Sequence, residues 1–205
     1  MSREKIMNAK ETLMNAFNDH SDSTFALKLS TLGHDVDVTE SILKYALNKN
    51  ITLLVDAERT DTHEEIMKLS NEWMTQYNTS RPVIYKTYQM YRKDAIPMLR
   101  NDLKDTKRKN CLGIKLVRGA YLHEERNTGL LCNTKEETDK QYNDAIDMFC
   151  KYRQEKDVLM CATHNERSIL HAYAKNTSNI TFAQLMGMRD DLSHQSVQRG
   201  YTTYK

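Results

Sequence analysis

The stretch from Gly113 to Tyr121 (GIKLVRGAY) combines a short apolar run with three side chains that could do chemistry. Lys115 interrupts the apolar run, and Arg118 and Tyr121 flank the Gly-Ala turn that ends it. A charged group near the end of a buried strand is costly unless it meets a partner or a ligand. In α/β proteins, ligands bind at the carboxyl ends of the strands. We therefore expect a site for a small charged ligand here, for example a cofactor phosphate.

Lys28 and Asp56 form a second candidate set. Lys28 lies in the run FALKLS, and Asp56 ends the apolar part of LLVDAE on the next strand. A lysine in an apolar strand must pair or lose its charge, so we predict an ion pair between Lys28 and Asp56. Such a pair could serve only to fix strand register. It could also line a ligand site, because both residues lie at the same end of their strands.

Three further groups have both a structural and a functional interpretation. Lys115 and Arg118 could be the long side chains of an ordinary loop, whereas Tyr121 is suited to covering a small ligand. The step from Thr163 to Asn165, which contains a histidine, could cap a helix or reach a ligand. Gln184 precedes a Leu-Met-Gly-Met sequence that could pack in the core or supply a flexible apolar wall.

Composition excludes several classes of function. The chain has 30 basic and 28 acidic residues, well mixed, so nucleic acid is not an expected partner. No run of about 18 apolar residues predicts a membrane span, and residues 1–20 do not resemble a targeting segment. No GxGxxG turn, P-loop or GxSxG elbow occurs. The four cysteines lack CxxC spacing and the histidines form no close pairs, so we expect reduced thiols and no metal site.

Apolar runs of strand length alternate along the chain with longer amphipathic runs. The predicted strands are Thr24–Leu29, Ile51–Asp56, Pro82–Tyr88, Gly113–Val117, Asp157–Ala162 and Ile180–Gln184. The predicted helices are Glu4–Asp19, Thr39–Asn48, Thr62–Tyr77, Asp94–Lys107, Lys135–Gln154, Glu166–Lys175 and Asp190–Arg199.

This strict alternation predicts a parallel sheet in an α/β fold. A repeat of roughly 30 residues and polar groups on nearly every strand favour a (β/α)8 TIM-type barrel over an open doubly wound sheet. With only two prolines and no linker, residues 1–205 form a single domain. A barrel of this type has eight strands. Six are found, and a further one begins near Thr203, so we expect an incomplete barrel of about six βα units.

Taken together, six runs in order from Phe25 onward resemble the motifs of the proline dehydrogenase family, FAD-dependent enzymes that oxidise L-proline. The lysine at position 115 resembles eukaryotic, fungal-type members, because bacterial members usually carry an arginine there. The matching runs are Leu27–Ser30, Val55–Glu58, Thr87–Tyr91, Lys115–Tyr121, Thr163–Asn165 and Phe182–Met188.

The resemblance implies a distorted (β/α)8 barrel with FAD across the strand ends. Asp56 and Lys115 would be catalytic, Asp56 by orienting the polar network and Lys115 by facing the flavin N5 where negative charge builds. Lys28 would contact the proline carboxylate, and Tyr121 and Leu185 would wall the proline ring. The residues that would bind FAD are Ala57, Gln89, Arg118, Gly119, Ala120, Thr163, His164 and Asn165. The implied reaction moves a hydride from proline to N5, gives Δ1-pyrroline-5-carboxylate and passes electrons to a quinone.

The family also has parts that are not found in this sequence: a first strand, an eighth strand, and a final helix whose arginine pair holds the proline carboxylate. Charge-assisted hydrogen bonds contribute about 1.5–3 kcal/mol each, so losing two would weaken proline binding by roughly two to four orders of magnitude. We therefore expect a fragment whose own activity is open. By family, its location is mitochondrial, with peripheral association with the inner membrane.

Two alternatives stay open at this stage. Lys28 or Lys115 could be the amine nucleophile of a Schiff-base-forming barrel enzyme. The chain could also be a catalytically inactive truncated barrel, alone or joined to another chain that supplies the missing strands.

Overall fold

The computed structural model describes residues 1–205 and shows a single parallel sheet covered by helices. Seven strands follow one another in chain order, and each pairs in parallel only with its sequence neighbours. The strands are β1 Thr24–Leu27, β2 Thr52–Val55, β3 Ile84–Gln89, β4 Gly113–Val117, β5 Val158–Ala162, β6 Ile180–Ala183 and β7 Thr203–Tyr204.

Eight α-helices precede, connect or follow these strands. They are α1 Arg3–Asp19, α2 Val36–Asn48, α3 Thr60–Tyr77, α4 Ala95–Lys104, α5 Leu122–Glu125, α6 Lys135–Tyr152, α7 Glu166–Tyr173 and α8 Asp190–Gln198, and a 3-10 helix spans Leu29–Leu32. None of the helices combines the length and the apolar composition that crossing a bilayer requires.

The six predicted strands are all present, with ends within two residues of the predicted ones, and β7 begins where a further strand was expected. The predicted start of α2 at Thr39 is wrong. The helix begins at Val36 because the Asp35 side chain accepts a hydrogen bond from the Val38 amide at 3.0 Å and caps it. The 3-10 helix and the four-residue α5 carry no apolar periodicity and were not predicted.

Side chains alternate between the two faces of each strand, and the outward face packs on the helices. Leu53, Ile114 and Phe182 belong to this main core. On the inner face, Leu54 of β2, Tyr85 of β3 and Met160 of β5 form a separate buried cluster. Partly buried residues of β6 and β7 pack against the same cluster. Such contacts between distant strands require a strongly curved sheet, as the predicted barrel architecture demands.

The apolar runs of the strands predict burial on both faces of a parallel sheet, and this is wrong for β1. Leu27 faces the core, but Ala26 and Lys28 on the inner side are exposed. The reason is the position of β1: β1 and β7 are the two edges of the sheet and do not pair with each other. The inner face beside β1 is therefore open to solvent.

Candidate functional site

A cavity of about 460 Å³ opens at the carboxyl ends of β1 to β6. Parallel strands place the residues that end each strand at one edge, so polar groups far apart in sequence meet there. Ten of the thirteen residues predicted from the sequence line this cavity: Lys28, Asp56, Ala57, Gln89, Lys115, Gly119, Ala120, Tyr121, His164 and Leu185.

The charged centre of the cavity is an ion pair between Lys115 and Asp56, with Nζ 2.7 Å from Oδ1. Lys115 pairs in register with Thr87, and Asp56 follows the β2 residue that pairs with Lys86. Asp56, Thr87 and Lys115 therefore form a row across three strands, and the lysine side chain crosses over Thr87 to reach the carboxylate. The ammonium is nearly buried, whereas the carboxylate keeps about a third of its surface exposed.

The predicted ion pair between Lys28 and Asp56 is thus wrong, because Asp56 pairs with Lys115 instead. Extending the register of β1 and β2 by one residue would place Lys28 beside Asp56. Instead, Lys28 turns toward Tyr121, with Nζ 5.7 Å from the centre of the ring. A hydrogen bond to Tyr121 raises the pKa of Lys28, so this lysine stays protonated. The cavity keeps one ammonium without a direct carboxylate partner.

Two polar residues of β3 complete the floor. The Gln89 amide donates to the backbone oxygen of Glu58 at 3.0 Å, and the buried Glu58 carboxylate accepts from the Ser30 amide at 2.8 Å. These bonds tie together the segments that follow β1, β2 and β3. Thr87 lines the cavity, and its buried hydroxyl oxygen has no hydrogen-bond partner. Glu58 and Thr87 were quoted in motifs but not predicted as site residues.

The turn after β4 lies on an aromatic ring. Gly119 has φ +134°, and a Cβ placed there would lie 2.4 Å from two ring carbons of Tyr91. Only glycine permits this conformation together with this close approach. The backbone of the turn is therefore pressed against Tyr91, and Ala120 and Tyr121 are directed over the cavity.

Arg118 faces a second cavity of about 520 Å³, which shares Gly119 with the first. Its guanidinium donates to Asp139 at 2.7 Å, to Thr163 at 2.5 Å and to Ser168 at 3.0 Å. The planar group also stacks over an aromatic ring, 4.5 Å from its centre. Three further cationic residues line the same cavity: Lys93, Arg126 and Lys135.

Thr163 and Asn165, expected from the resemblance to bind the cofactor, line neither of these two cavities. Thr163 accepts hydrogen bonds from Arg118 and from the Asn165 amide, and the Asn165 side chain caps α7 by accepting from Ser168. Both residues face the helices and hold Arg118 and the start of α7 in place.

The His164 ring accepts a hydrogen bond from the Leu185 amide at 3.0 Å, which fixes the loop after β6. Leu185 is exposed on this loop and forms one wall of the cavity. Gln184 also lines the cavity, but its amide donates to the Thr163 carbonyl and accepts from Ser193. Gln184 therefore borders the cavity and also connects the segment after β5 to α8. The expectation that the Leu-Met-Gly-Met sequence packs in the core is wrong, because Leu185, Met186 and Met188 are exposed.

Tyr88 is one of the polar residues that mark the strands and predict convergence on one site, but it does not line the cavity. Strand alternation turns it outward, where its hydroxyl donates to Asp102, which also accepts from Lys86 at 2.7 Å. Burial lowers the pKa of Lys86 and raises that of Tyr88. This buried group fixes β3 against α4.

The arrangement is suited to binding an anionic or electron-rich planar ligand at the strand ends. Lys28, Lys115 and the Gln89 amide supply cationic and donor groups, and Tyr121 and Leu185 supply apolar walls. No group of three or more His, Cys, Asp or Glu side chains is placed to hold a metal ion.

Comparison with known proteins supports one family. The sequence model described as "Proline dehydrogenase" matches residues 2–205. The chain is 32% identical to "Hydroxyproline dehydrogenase" of Xenopus laevis, over 98% of this chain and 46% of that protein. It is 30% identical to "Proline dehydrogenase 1, mitochondrial" of Homo sapiens, over 95% of this chain and 34% of that protein. The chain spans less than half the length of these curated relatives.

Solved structures agree on the fold. Proline utilization A (PutA) from Bdellovibrio bacteriovorus, inactivated by N-propargylglycine, superposes with a TM-score of 0.85 at 16% sequence identity. The match covers 99% of this chain and 26% of that chain. A second PutA structure, with proline bound in remote sites, gives a TM-score of 0.84 at 19% identity, over 99% of this chain and 25% of that one. The predicted TIM-type α/β architecture is confirmed.

Proposed function

Because this chain belongs to the proline dehydrogenase family, we propose that it forms the flavin- and substrate-binding wall of an enzyme that oxidises L-proline. The observation that carries the proposal is the cavity at the strand ends, which gathers ten of the thirteen residues expected from the family motifs. Convergence of residues from six strands on one cavity is typical of an enzyme active site.

The residues present fit a flavin dinucleotide. In the first cavity, the buried Thr87 hydroxyl has no partner within the protein, and Gly119 lets the turn pack so closely on Tyr91 that Ala120 and Tyr121 lie along the cavity. The second cavity adjoins it through Gly119 and is lined by Lys93, Arg118 and Arg126. Clustered cations of this kind suit a pyrophosphate. We propose that the isoalloxazine ring lies in the first cavity and the dinucleotide part extends into the second.

The predicted site residues that line the first cavity have three kinds of proposed role. When bound, FAD supplies the two-electron acceptor for the oxidation. Lys115, held by Asp56, places a fixed positive charge in the cavity where negative charge develops during reaction. Lys28 attracts the substrate carboxylate, and Tyr121 and Leu185 exclude water from around the proline ring. Gln89 at the end of β3 and His164 after β5 contact the cofactor, as do Ala57, Gly119 and Ala120.

The Schiff-base alternative is weaker than the flavin proposal. An amine nucleophile must be neutral, which requires a lowered pKa. The Lys115 Nζ atom is engaged by Asp56 at 2.7 Å, and Tyr121 raises the pKa of Lys28. Neither lysine is therefore prepared to attack a carbonyl.

A second substrate, 4-hydroxy-L-proline, is favoured by the similarity to the Xenopus hydroxyproline dehydrogenase. Following the family resemblance, we also propose a quinone as the electron acceptor and peripheral attachment to the mitochondrial inner membrane. The printed name of the human relative supports only the compartment.

The test is to reconstitute the chain with FAD and measure reduction of a soluble quinone analogue with L-proline and with 4-hydroxy-L-proline. We expect turnover that N-propargylglycine inactivates and that Lys115→Met lowers at least about 100-fold. Exposed Lys140→Met is the matched control and should be unchanged. Borohydride trapping of a substrate adduct without flavin binding would refute the proposal in favour of the Schiff-base enzyme. Flavin binding without turnover would support the inactive barrel instead.

A further inference from the structure

We propose that Glu125 is a positioning residue that ties the Gly119–Tyr121 turn to the ends of the two preceding strands. The tie follows from contacts within the chain, and only its effect on ligand binding rests on the proposed function. Glu125 does not line either cavity. It lies outside the Lys115–Tyr121 run.

Glu125 is the one buried residue of the short helix α5, with 3% of its surface exposed. Its neighbours Leu122, His123 and Glu124 are all exposed. A carboxylate placed inside an otherwise solvated helix is costly unless donors satisfy both oxygens. The hydrogen bonds of the Glu125 carboxylate must therefore stabilise it by more than the hydration free energy that it loses on burial.

Three donors from two other segments meet that carboxylate. The Thr60 amide and hydroxyl donate to Oε1 at 2.5 and 2.7 Å, and the Tyr91 hydroxyl donates to Oε2 at 2.6 Å. Burial alone would raise the pKa of Glu125, but these hydrogen bonds, with the nearby Arg92, lower the pKa below its usual value. The side chain is thus an anion, and charge-assisted hydrogen bonds of this kind are the strong ones.

The Thr60 contact makes Glu125 the N-terminal cap of α3. This helix begins at Thr60 directly after Arg59, which provides no side-chain cap of its own. A carboxylate at a helix N-terminus satisfies a free amide and interacts favourably with the helix dipole. Helix α3 follows the Asp56–Glu58 segment, so the cap links the end of β2 to the loop after β4.

The Tyr91 contact links the same loop to the end of β3. The Tyr91 ring packs against Gly119, and the Tyr91 amide donates to the Arg118 carbonyl at 2.7 Å. The Tyr91 hydroxyl donates to the Glu125 carboxylate. The Glu125 amide in turn donates to the Tyr121 carbonyl at 3.0 Å. The turn is therefore packed on the Tyr91 ring at Gly119, and Glu125 joins its Tyr121 end to Tyr91 and Thr60.

The second half of the loop has its own anchors, because Lys93 and Cys132 amides bond across to the Leu130 and Tyr91 carbonyls. Loss of Glu125 should accordingly loosen only the first half. Tyr121 would then leave its place beside Lys28, and the wall of the first cavity would open.

The direct test is hydrogen–deuterium exchange of the full chain without ligand, comparing wild type with Glu125→Ala, Tyr91→Phe and the control Glu124→Ala. We expect amides of residues 121–128 and of Thr60 to exchange at least about tenfold faster in Glu125→Ala. Tyr91→Phe keeps the ring and should give a smaller increase, and Glu124→Ala none. Unchanged exchange in both Glu125→Ala and Tyr91→Phe would overturn the proposal. Equal acceleration throughout the sheet would overturn it too, because it would indicate general unfolding.

A ligand measurement separates positioning from mere structural support. In the FAD-reconstituted chain, Glu125→Ala should raise the KM for proline about tenfold or more and change kcat less, because the substrate wall moves while Lys115 and Asp56 stay in place. A loss of kcat of about tenfold or more at an unchanged KM would contradict the positioning role. If wild type shows no turnover, the proposed function fails while the exchange result still decides whether Glu125 holds the turn.

Discussion

The pairing of Asp56 with Lys115 rather than with Lys28 can be decided by two double-mutant cycles. The Lys115 side chain is 12% exposed and the Asp56 side chain 31% exposed, and their charged atoms lie 2.7 Å apart. A hydrogen bond between charged groups contributes about 1.5–3 kcal/mol, and the partial exposure of Asp56 places this pair at the low end. We therefore expect a coupling free energy of about 1.5 kcal/mol between Asp56→Asn and Lys115→Met.

The matched cycle combines Asp56→Asn with Lys28→Met. Lys28 lies beside Asp56 in register but turns to Tyr121, so its coupling to Asp56 should stay below about 0.5 kcal/mol. Asp56→Asn alone leaves a nearly buried ammonium without its partner and should lower the free energy of unfolding by about 2 kcal/mol. For a domain of this size, that loss corresponds to a Tm decrease of roughly 4–8 °C.

Urea unfolding followed by fluorescence gives each free energy, because Trp73 is the single tryptophan and is 2% exposed in the core. Coupling of Asp56 to Lys28 that exceeded its coupling to Lys115 would refute the account of the charged centre. The site would then be built on neighbouring strands, as the sequence alone suggests.

Three other predictions concern stability. Gly119→Ala should lower the free energy of unfolding in urea by more than about 3 kcal/mol, because its Cβ would meet the Tyr91 ring at 2.4 Å. Gly129 also has a positive φ but has open space around it, so Gly129→Ala should lower the same free energy by only about 1 kcal/mol. Asp157→Ala should lower the free energy of unfolding by about 3–5 kcal/mol, since it leaves the buried Arg108 unpaired. The control Asp144→Ala removes an exposed carboxylate and should change that free energy by under about 0.5 kcal/mol. A similar loss in both variants would contradict the assigned burial. The depressed pKa of Glu125 means that its carboxylate stabilises the fold above its unfolded pKa of about 4.3 and that this contribution is lost as pH falls through the lower folded value. Unfolding of wild type and Glu125→Gln across pH should therefore converge at low pH and diverge toward neutrality, and a constant difference would contradict the assignment.

The fold could be predicted from the sequence because the strand runs are strongly apolar and evenly spaced. Placement of the site at the strand ends followed from the same reasoning, since parallel strands bring their ends together. Strand alternation also separates neighbouring polar residues. Tyr88 and Gln89 are adjacent on β3 and must face opposite sides, so only Gln89 could reach the cavity.

The parts that could not be predicted depend on long side chains and on loops. Asp56 was assigned to the lysine nearest in strand order, but Lys115 reaches it across the intervening strand. Glu125 lies in a sequence, Leu-His-Glu-Glu, that has the composition of an exposed loop. Its burial depends on donors supplied by Thr60 and Tyr91, which no local pattern reveals.

We propose that the cavity at the strand ends binds a flavin dinucleotide beside Lys115, where the substrate can reduce it. The most direct measurement is anaerobic titration of the flavin-loaded chain with L-proline, followed by the visible absorption of the flavin, in wild type and Lys115→Met. We predict stoichiometric flavin binding, bleaching by proline in wild type, and bleaching at least about 100-fold slower in Lys115→Met. Absence of flavin binding, or equal bleaching rates in the two proteins, would contradict the account.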